Sequence, residues 1–508
     1  MLARAPACDQ SSLGQAIGSI FGDGTGVKLA GGTEVAEGGD AFDVVILGGG
    51  NAGYSAAFRA VELGLSVAMV EKDKVGGTCL HRGCIPTKAL LHSADLVDEI
   101  SSAGEFGLIV GEPEVDWGKV LSFKDSVVGR MYKGLSGLVR KHKIELVEGV
   151  GKLVDNKTVS VETKEGSRRL TASKGLILAT GSYPRDLPFI KADGDKVHNS
   201  NHGLVAQDIP SSIIIAGGNY IGLEFASVYR SFGAKVDVVE MLPKIAPAED
   251  DDISEALAKL LQKRGIKFHL GTSVSAATPT DSGIDVEIEK DGTKETLSAD
   301  RLFVAIGRGP RTDDMGFEEA GVKLDKGYIV VDEGFRTSVD GVYAIGDAIY
   351  MPDANWPHPQ LAHVAFAEGQ KVAERIAGQD PAAVDYKNIP HVIYCQPEVA
   401  AVGLTQKKAE ELGMEVQTTR YPFSANARAL MLGGGQGFVK SVAEKGGAVV
   451  GVHIIGPRAS DIITEAQLVT SWEAYPDELA ELMHPHPTLS EVIGETFLEL
   501  AGKPLHGA

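Results

Sequence analysis

The amino-acid sequence predicts an α/β fold built on two parallel-sheet domains. The main evidence is a unit of strand, glycine-rich loop, helix and strand that occurs twice, with the second copy 169 positions after the first. In addition, 508 residues are too many for one ordinary hydrophobic core and favour two to four domains. The third observation is a closely spaced cysteine pair that follows the first glycine loop.

The composition is typical of a soluble globular protein, with 43% apolar and 23% charged residues. A net charge of -20 argues against a nucleic-acid or anionic-membrane partner. No apolar run approaches the length of a membrane span, so we expect no membrane association. Four cysteines are too few for a secretory disulfide framework and predict a reducing compartment, the cytoplasm. Two of them, Cys8 and Cys395, belong to no motif.

Residues 1–40 are predicted to be a flexible N-terminal extension. They are rich in Gly, Ala and Ser and lack a positive start followed by an apolar core, which argues against a secretory signal. Arg4 is the only basic residue before Lys28, so an organelle transit peptide is disfavoured.

The first copy of the repeated unit begins with an apolar strand over residues 42–47 and continues into a helix over residues 52–63. Glycines in such a loop allow a tight turn and let backbone N–H groups approach a pyrophosphate at the helix N-terminus. The acidic residue that ends the next strand binds ribose hydroxyls. The candidate cofactor-binding residues are Gly48, Gly50, Gly53 and Glu71.

The second copy has a strand over residues 212–216 and a helix over residues 221–232. In both copies the acidic residue follows the last glycine by 18 positions, and two such units are much stronger evidence than one. The candidates here are Gly217, Gly218, Gly222 and Glu240. A carboxylate at the last position repels the extra phosphate of NADP, so the sequence predicts two Rossmann-like sites, the second selective for NAD.

The second loop departs from the pattern at Asn219, which stands where the first copy has Gly50. A side chain at this position crowds the approach of the pyrophosphate, although Asn tolerates left-handed backbone geometry better than most residues. We expect NAD binding to persist in a weakened or rearranged form. The alternative is a second loop that no longer binds its dinucleotide.

Cys79 and Cys84 are predicted to be a working dithiol. A disulfide that closes so short a loop adds little stability, and its strain and exposure make it easy to reduce. The alternative is a pair of ordinary buried thiols, because free cysteines are commonly buried.

Together, these motifs resemble the flavoprotein disulfide reductases with two dinucleotide folds, most closely the members that oxidise dihydrolipoamide. The resemblance covers residues 41–506 and rests on five further segments as well as the first loop. They are Gly-Gly-Thr-Cys-x4-Cys-x-Pro-x-Lys at 76–88, Ala-Thr-Gly at 179–181, Ala-Ile-Gly-Arg at 305–308, Ala-Ile-Gly-Asp at 344–347 and His-Pro-His-Pro-Thr-Leu-Ser-Glu at 484–491.

The resemblance implies that the first loop and Glu71 hold FAD, that Asp347 contacts the ribityl chain, and that Lys88 lies near the flavin. Lys88 is expected to pair with Glu224. The second loop, Glu240 and Gly307 are expected to hold NAD. Further flavin contacts are expected from Gly151, Thr180, Gly181, Leu361, Ala362 and His363. The spacing from Asp347 to the last three is longer than usual, and we expect residues 349–358 to form a surface loop with the flavin contact intact.

The C-terminal segment supplies the proton chemistry that thiol oxidation requires. A thiolate is a far better nucleophile than a thiol, and a histidine with a carboxylate on its far nitrogen is a suitable base. His486 and Glu491 match the pair that the resemblance implies. His484 is interpreted as a structural neighbour, and because further ligands are lacking we expect no metal site.

The mechanism implied by the resemblance begins when His486 helps to deprotonate dihydrolipoamide, which attacks Cys79 and forms a mixed disulfide. The second substrate sulfur then releases lipoamide, and Cys84 passes the electrons to FAD and on to NAD. The expected assembly is a homodimer in which His486 serves the partner's site. The expected partners are lipoyl domains of 2-oxoacid dehydrogenase complexes or of the glycine cleavage system.

Three alternatives are weighed against this function. Glutathione-type reductases use NADPH, which Glu240 disfavours, and mercuric reductases carry a C-terminal cysteine pair, whereas no cysteine follows Cys395. A non-catalytic flavoprotein subunit is the third alternative. The predicted domains are an FAD domain at 41–185 and 308–380, an NAD domain at 186–307, and a C-terminal α+β dimerisation or interface domain at 381–508.

Overall fold

The computed structural model describes residues 40–507 except positions 353, 355 and 357. The predicted extension over residues 1–40, and Cys8 within it, therefore lie outside the described residues apart from Asp40. Residues from Ala41 onward form one compact unit.

The first sheet has β1 at its centre, in the order β3–β2–β1–β6–β5–β4. Strands β1, β2, β3 and β6 run parallel, and Val44, Val45 and Ile46 of β1 are fully buried. Burial on both faces explains the continuous apolar run in the sequence. The strands of this sheet are β1 (Ala41–Leu47), β2 (Val67–Glu71), β3 (Glu145–Glu148), β4 (Val150–Leu153), β5 (Thr158–Thr163) and β6 (Gly166–Leu178). The next strand in the chain, β7 (Ser182–Pro184), belongs to a separate two-stranded sheet.

Four helices belong to this part of the chain. The one after the first glycine loop begins one residue before the predicted helix, and the two that carry the cysteines are separated only by Gly83. They are α1 (Asn51–Glu62), α2 (Gly77–Arg82), α3 (Cys84–Ser102) and α4 (Trp117–Lys141), and a 3₁₀ turn, Ala103–Phe106, follows α3.

The second sheet repeats the first unit, in the order β11–β10–β9–β15–β8, with all pairings parallel. An antiparallel sheet, β12–β13–β14, is attached to it. The strands are β8 (Val197–Asn199), β9 (Ser212–Ala216), β10 (Lys235–Glu240), β11 (Ile266–Leu270), β12 (Ser273–Pro279), β13 (Ile284–Lys290), β14 (Thr293–Ala299) and β15 (Arg301–Val304). The helices are α5 (Ser200–Gly203), α6 (Tyr220–Ser231) and α7 (Asp251–Lys263).

The chain then returns to the first sheet, where β19 pairs with β6. Helix α8 (Ala362–Ile376) packs closely on α1 through Gly369. A Cβ on this residue would lie only 2.5 Å from the carbonyl oxygen of Ala52. The elements are β16 (Arg308–Pro310), β17 (Leu324–Asp325), β18 (Tyr328–Val330), β19 (Val342–Ala344), β20 (Ile349–Tyr350) and α8 (Ala362–Ile376), with a 3₁₀ turn at Gly346–Ala348.

The C-terminal part is an antiparallel sheet in the order β21–β22–β25–β24–β23, with helices packed against it. This α+β arrangement confirms the predicted class. The strands are β21 (His391–Ile393), β22 (Glu398–Gly403), β23 (Val416–Pro422), β24 (Phe438–Glu444) and β25 (Val449–Gly456). The helices are α9 (Gln406–Glu411), α10 (Ala427–Met431), α11 (Ala459–Ser471), α12 (Pro476–Leu479) and α13 (Glu491–Leu500), with 3₁₀ turns at Tyr386–Asn388 and Phe423–Ala425.

The prediction of a surface loop over residues 349–358 is wrong for the described ends of that segment. Ile349 and Met351 are buried, and Ile349 pairs with Ile329 in a small sheet. At the other end the side chain of His358 is 5% exposed, and its Nε2 lies 2.7 Å from Oε1 of Glu368. The apolar side chains and the buried carboxylate hold both ends inside the protein. In the part of the chain that the structure describes, no helix is long and apolar enough to cross a membrane.

Candidate active site

The first glycine loop is shaped by two steric requirements of the backbone. Gly48 has a φ of 115°, and a Cβ there would lie 2.2 Å from the carbonyl oxygen of Ala179. A Cβ on Gly53 would lie 1.8 Å from the carbonyl oxygen of Gly48. Only glycine fits at both positions. Without side chains there, the loop backbone can pack directly against the start of helix α1.

Glu71 is fixed beside this loop by backbone donors. Its Oε2 accepts a hydrogen bond from the Gly49 N–H at 2.9 Å, and its Oε1 accepts one from the Asp73 N–H at 2.9 Å. The carboxylate at the end of β2 thus lies next to the helix N-terminus, as a ribose-binding residue requires.

The second loop has the same construction. Gly217 has a φ of 113°, and a Cβ on Gly222 would lie 1.9 Å from the carbonyl oxygen of Gly217. The Gly218 N–H donates to Oε2 of Glu240 at 2.7 Å, and the Leu242 N–H donates to its Oε1 at 2.8 Å. The predicted internal repeat is therefore confirmed in sequence, topology and hydrogen bonding.

Asn219 has an extended backbone, with φ −112° and ψ −171°, and Gly50 is also extended, with φ −74° and ψ −171°. The tolerance of Asn for left-handed geometry therefore plays no part here. The side chain makes no helix-capping hydrogen bond, and its buried Oδ1 has no partner among the described residues. Asn219 also lines the large cavity between the two loops.

One cavity of about 1450 Å³ connects the two loops. This exceeds the roughly 300–1,000 Å³ of an ordinary small-molecule pocket and suits more than one dinucleotide. Its walls include Gly50 and Glu71 from the first unit, Asn219 and Glu240 from the second, and both cysteines of the predicted dithiol. The steric cradles of the two glycine loops fit the two cofactors that the sequence predicts.

Cys79 and Cys84 are both free thiols in this structure. Cys84 is the first residue of α3, where the helix dipole favours a thiolate. A hydrogen bond from the Cys79 thiol, together with the Lys88 ammonium, outweighs burial and lowers the pKa of Cys84 to about 7. The same hydrogen bond and burial raise the pKa of Cys79. The two sulfurs are therefore chemically unequal, with Cys84 the stabilised thiolate.

Lys88 lies one turn after Cys84, and its Nζ is 2.8 Å from both carboxylate oxygens of Glu224. The predicted pair is thus present, across 136 positions of sequence. Tyr394, which the sequence did not single out, completes the group: its N–H donates to Glu224 at 3.2 Å and its ring centroid is 4.6 Å from Nζ. This contact comes from another domain and leaves no local sequence pattern.

Asp347 also has partners that the sequence did not reveal. Its Oδ2 accepts a hydrogen bond from Oγ of Ser182 at 2.5 Å, and Nε of Arg308 is 3.9 Å away. The neighbouring Gly346 N–H donates to Glu368 at 2.7 Å, and this hydrogen bond holds the turn that carries Asp347 in place. Asp347 lines the cavity beside Gly151, Thr180, Gly181, Gly307, Leu361 and Ala362.

His363 is the exception among the predicted flavin contacts. Its Nε2 lies 2.8 Å from the carbonyl oxygen of Pro390, and the residue does not line the cavity. Any contact with a cofactor would therefore come from its backbone, as the resemblance implies.

His486 and Glu491 form the predicted pair, with Nδ1 and Oε1 2.7 Å apart. Glu491 also accepts the Thr488 N–H at 2.7 Å. Although burial acts in the opposite direction, the Thr488 N–H and the His486 ring lower the pKa of Glu491. The carboxylate orients the ring through Nδ1, so that Nε2 points away from Glu491. Behind the pair, Nε2 of His484 is 2.7 Å from Glu465, as expected of a structural neighbour.

The imidazole of His486 is 77% exposed and does not line the cavity of its own chain. The structure therefore brings the dithiol, Lys88, Glu224 and both loops together, but not the predicted base.

Two dinucleotide loops and a polarised dithiol on one cavity define a nucleotide-dependent disulfide oxidoreductase. Comparisons with known proteins are more specific. Residues 42–369 match the family model of the pyridine nucleotide-disulphide oxidoreductases, and residues 389–497 match the dimerisation domain of these enzymes. The chain belongs to this family. Its cofactors are FAD and NAD(H), and the dimerisation domain supports a homodimer.

Similar proteins include dihydrolipoyl dehydrogenase of Bacillus subtilis, which is 42% identical over 476 residues, 92% of this chain and 99% of the relative. The enzyme of the same name from Zymomonas mobilis is 40% identical over 472 residues, again 92% and 99% of the two chains. Among solved structures, LpdA from Mycobacterium tuberculosis superposes with a TM-score of 0.82 at 26% identity, covering 90% of this chain and 99% of that one.

Proposed function

We propose that this protein oxidises dihydrolipoamide carried on lipoyl domains and transfers the electrons to NAD. The observation that carries the proposal is the unequal dithiol: Cys79 and Cys84 line the cavity that both loops share, and Cys84 is the stabilised thiolate. The names of the Bacillus and Zymomonas relatives support the same substrate.

The reaction begins with Cys79 and Cys84 joined as a disulfide. A substrate thiolate attacks the sulfur of Cys79, which forms a mixed disulfide and releases Cys84 as a thiolate beside Lys88. The second substrate sulfur then displaces Cys79, so that the substrate leaves as a cyclic disulfide and the protein holds the electron pair as a dithiol. When bound, FAD supplies the two-electron relay between this dithiol and NAD.

The protein's own contribution is to hold protons and charges. His486 takes the substrate's thiol proton at Nε2, and Glu491 stabilises the resulting cation from Nδ1. Lys88 supplies the positive charge that faces the Cys84 thiolate, and Glu224 holds Lys88 in place.

We further propose that the base comes from a second copy of the chain. His486 is exposed and away from the cavity of its own chain. Large apolar side chains are exposed on the 100–131 region and on the C-terminal part, and a Cβ on Gly433 would lie 2.9 Å from the ring of Phe106, so the two regions adjoin. These side chains are Ile100, Phe106, Ile109, Phe123, Met131, Leu430 and Met431.

The lipoyl-bearing partner remains a proposal, as does the cytoplasmic location predicted from the sequence. A 2-oxoacid dehydrogenase complex and the glycine cleavage system both present the same dithiol group. Of the predicted residues, the flavin contacts of Gly151, Thr180, Gly181, Leu361, Ala362 and His363 are likewise proposed, as are the NAD contact of Gly307 and the predicted domain boundaries.

The first experiment measures turnover of free dihydrolipoamide by the purified holoprotein with NAD and with NADP. We expect turnover with NAD and much less with NADP, because Glu240 repels the extra phosphate. Lack of turnover with either nucleotide, in a preparation that contains FAD, would contradict the proposed substrate.

The second experiment tests the shared site by mixing two inactive variants, Cys79→Ser and His486→Gln. A hybrid dimer has one site with both groups intact, so refolding an equal mixture should restore about a quarter of wild-type activity. Each variant refolded alone is the control. If the mixture stays inactive while hybrid dimers form, the base acts within its own chain.

The third experiment tests the division of labour between the cysteines. Two-electron reduction should produce a long-wavelength charge-transfer absorbance that appears as pH rises through about 7, where Cys84 becomes a thiolate. Cys84→Ser should abolish the band, whereas Cys79→Ser has no disulfide to reduce and should show the band already in the oxidised protein. The reverse pattern would exchange the roles of the two residues.

A further inference from the structure

A group of three side chains, centred on the buried carboxylate of Glu249, joins the second dinucleotide unit to the C-terminal sheet. The hydroxyl of Tyr220 donates to Oε1 of Glu249 at 3.2 Å, and Nε2 of His391 lies 3.1 Å from the same oxygen. The rings of Tyr220 and His391 meet edge to face, with centroids 6.3 Å apart. The three residues come from α6, from the turn before α7, and from β21.

Within this group the buried carboxylate lies beside an imidazole. The side chain of Glu249 is 1% exposed, and its Oε2 has no hydrogen-bond partner among the described residues. His391 is near enough to supply the charge, although its Nε2 is not aligned for a hydrogen bond, so the attraction is between charges. Burial opposes the charge on His391, but Glu249 outweighs burial and raises the pKa of the imidazole. The pKa of Glu249 is correspondingly lowered, against its own burial.

Two other histidines lie nearby but are poor sources of this charge. Burial lowers the pKa of His363 and of His453, and each ring already contacts a backbone carbonyl oxygen through Nε2. Lys440 is committed to Asp250, with Nζ and Oδ1 2.8 Å apart. Lys244 contacts only the backbone oxygen of Glu249 and pairs with Asp251. His391 is therefore the titratable cation that balances Glu249.

The group is directly connected to the second glycine loop. Tyr220 is the first residue of α6 and follows Asn219. The segment that carries Glu249 also contacts the loop, because the Ala246 N–H donates to the carbonyl oxygen of Gly218 at 2.8 Å. Tyr220 and His391 both line the cavity. A change in the charge of His391 therefore acts on the wall of the nucleotide site.

We propose that His391 and Glu249 are positioning residues that hold Tyr220 and the second loop in the form that binds NAD, and that proton loss from His391 weakens this binding. The inference rests on the proposed function only in taking NAD as the ligand. Below the raised pKa of His391 the ion pair is intact and Tyr220 is held. As pH rises through that pKa, Glu249 loses its cation, and a buried carboxylate without a counter-charge is strongly unfavourable.

The test is the equilibrium Kd of NAD for the oxidised holoprotein, followed by the change in flavin fluorescence between about pH 6 and about pH 9. For the wild type we expect Kd to rise about tenfold across this range, in a single step. His391→Gln should show the weak affinity at every pH, with unchanged FAD content. Tyr220→Phe, which loses only the hydroxyl, should weaken binding less and reduce the step.

The matched control is His269→Gln. His269 forms another histidine–carboxylate pair in the same unit, 2.8 Å from Asp237, but it does not line the cavity. This variant should keep the wild-type pH step. Glu249→Gln removes the buried charge itself and should be independent of pH, so it carries the test if His391→Gln fails to fold.

A pH step that persists in His391→Gln or in Glu249→Gln would overturn the proposal, as would a wild-type Kd that does not change with pH. Because no dithiol substrate is present, failure of dihydrolipoamide turnover would leave this result readable. Loss of NAD binding at every pH in the wild type would instead contradict the cofactor assignment.

Discussion

The two glycine loops have the same backbone but differ at the middle position of the motif, which is Gly50 in the first loop and Asn219 in the second. At the outer positions the constraint is internal in both: a Cβ on Gly53 or on Gly222 would lie within 2 Å of a backbone oxygen, at 1.8 and 1.9 Å. At the middle position the protein itself imposes no such steric constraint. A Cβ on Gly50 would have only the Cα of Gly77 nearby, at 3.9 Å. The fold therefore accepts a side chain there, and Asn219 shows one.

The difference separates two reasons for a glycine in a nucleotide loop. The outer glycines are needed before any cofactor arrives, because strand, loop and helix pack through them. The middle glycine is needed by the bound pyrophosphate alone. Substitution at the middle position should therefore alter affinity without altering the fold, and the following predictions test that separation.

The largest effect is expected from alanine at the outer positions. Gly53→Ala forces the first loop apart and should yield a protein that does not retain FAD, whereas Gly222→Ala should remain yellow and lose NAD affinity by about a hundredfold. Flavin content per chain and the Kd of NAD distinguish the two outcomes. If Gly222→Ala also lost FAD, the two units would be coupled through the fold rather than independent.

Asn219→Asp should produce the next largest effect. The substitution keeps the size of the side chain but places a negative charge beside the pyrophosphate, which should weaken NAD binding about tenfold. Flavin content should be unchanged, because the first loop is untouched. Wild-type affinity in this variant would show that the side chain points away from the ligand.

Glu240→Gln should have a smaller effect. The amide keeps one acceptor for the Gly218 N–H or the Leu242 N–H but not both, and it no longer repels a 2′-phosphate. We expect NAD affinity to fall about fivefold and the preference for NAD over NADP to fall with it. Turnover measured with both nucleotides checks this, and an unchanged preference would assign selectivity to another residue.

Asn219→Gly should have the smallest effect, and in the opposite direction. The Asn219 side chain crowds an anionic ligand, and its acceptor oxygen lacks a donor. Removing this side chain should therefore lower the KM for NAD about twofold to threefold. Asn219→Ala is the matched variant, because it removes the oxygen but keeps the Cβ. Weaker NAD use by both would show that the carboxamide makes a useful contact of its own.

The sequence predicted the local geometry of the site well, because steric limits in a glycine loop act within a few residues. The first helix was expected over residues 52–63 and spans Asn51–Glu62. Pairings between domains were accessible only through the family resemblance, as with Lys88 and Glu224. Tyr394, His391 and Glu249 were missed because their contacts depend on how distant elements pack. The surface-loop prediction for residues 349–358 failed at the described ends of the segment, because the added length indicated a loop whereas the side chains of Ile349, Met351 and His358 are buried.

The anchor at His358 also has a structural role, which depends on Glu368. Its fully buried carboxylate accepts hydrogen bonds from the Gly346 N–H and the Tyr386 hydroxyl, and its Oε1 lies 2.7 Å from Nε2 of His358. One carboxylate thus joins the turn that carries Asp347, the extra segment and the link to the C-terminal sheet. The described end of the added segment at His358 is consequently part of the internal support of the Asp347 turn, so trimming the segment to a shorter loop would remove that support.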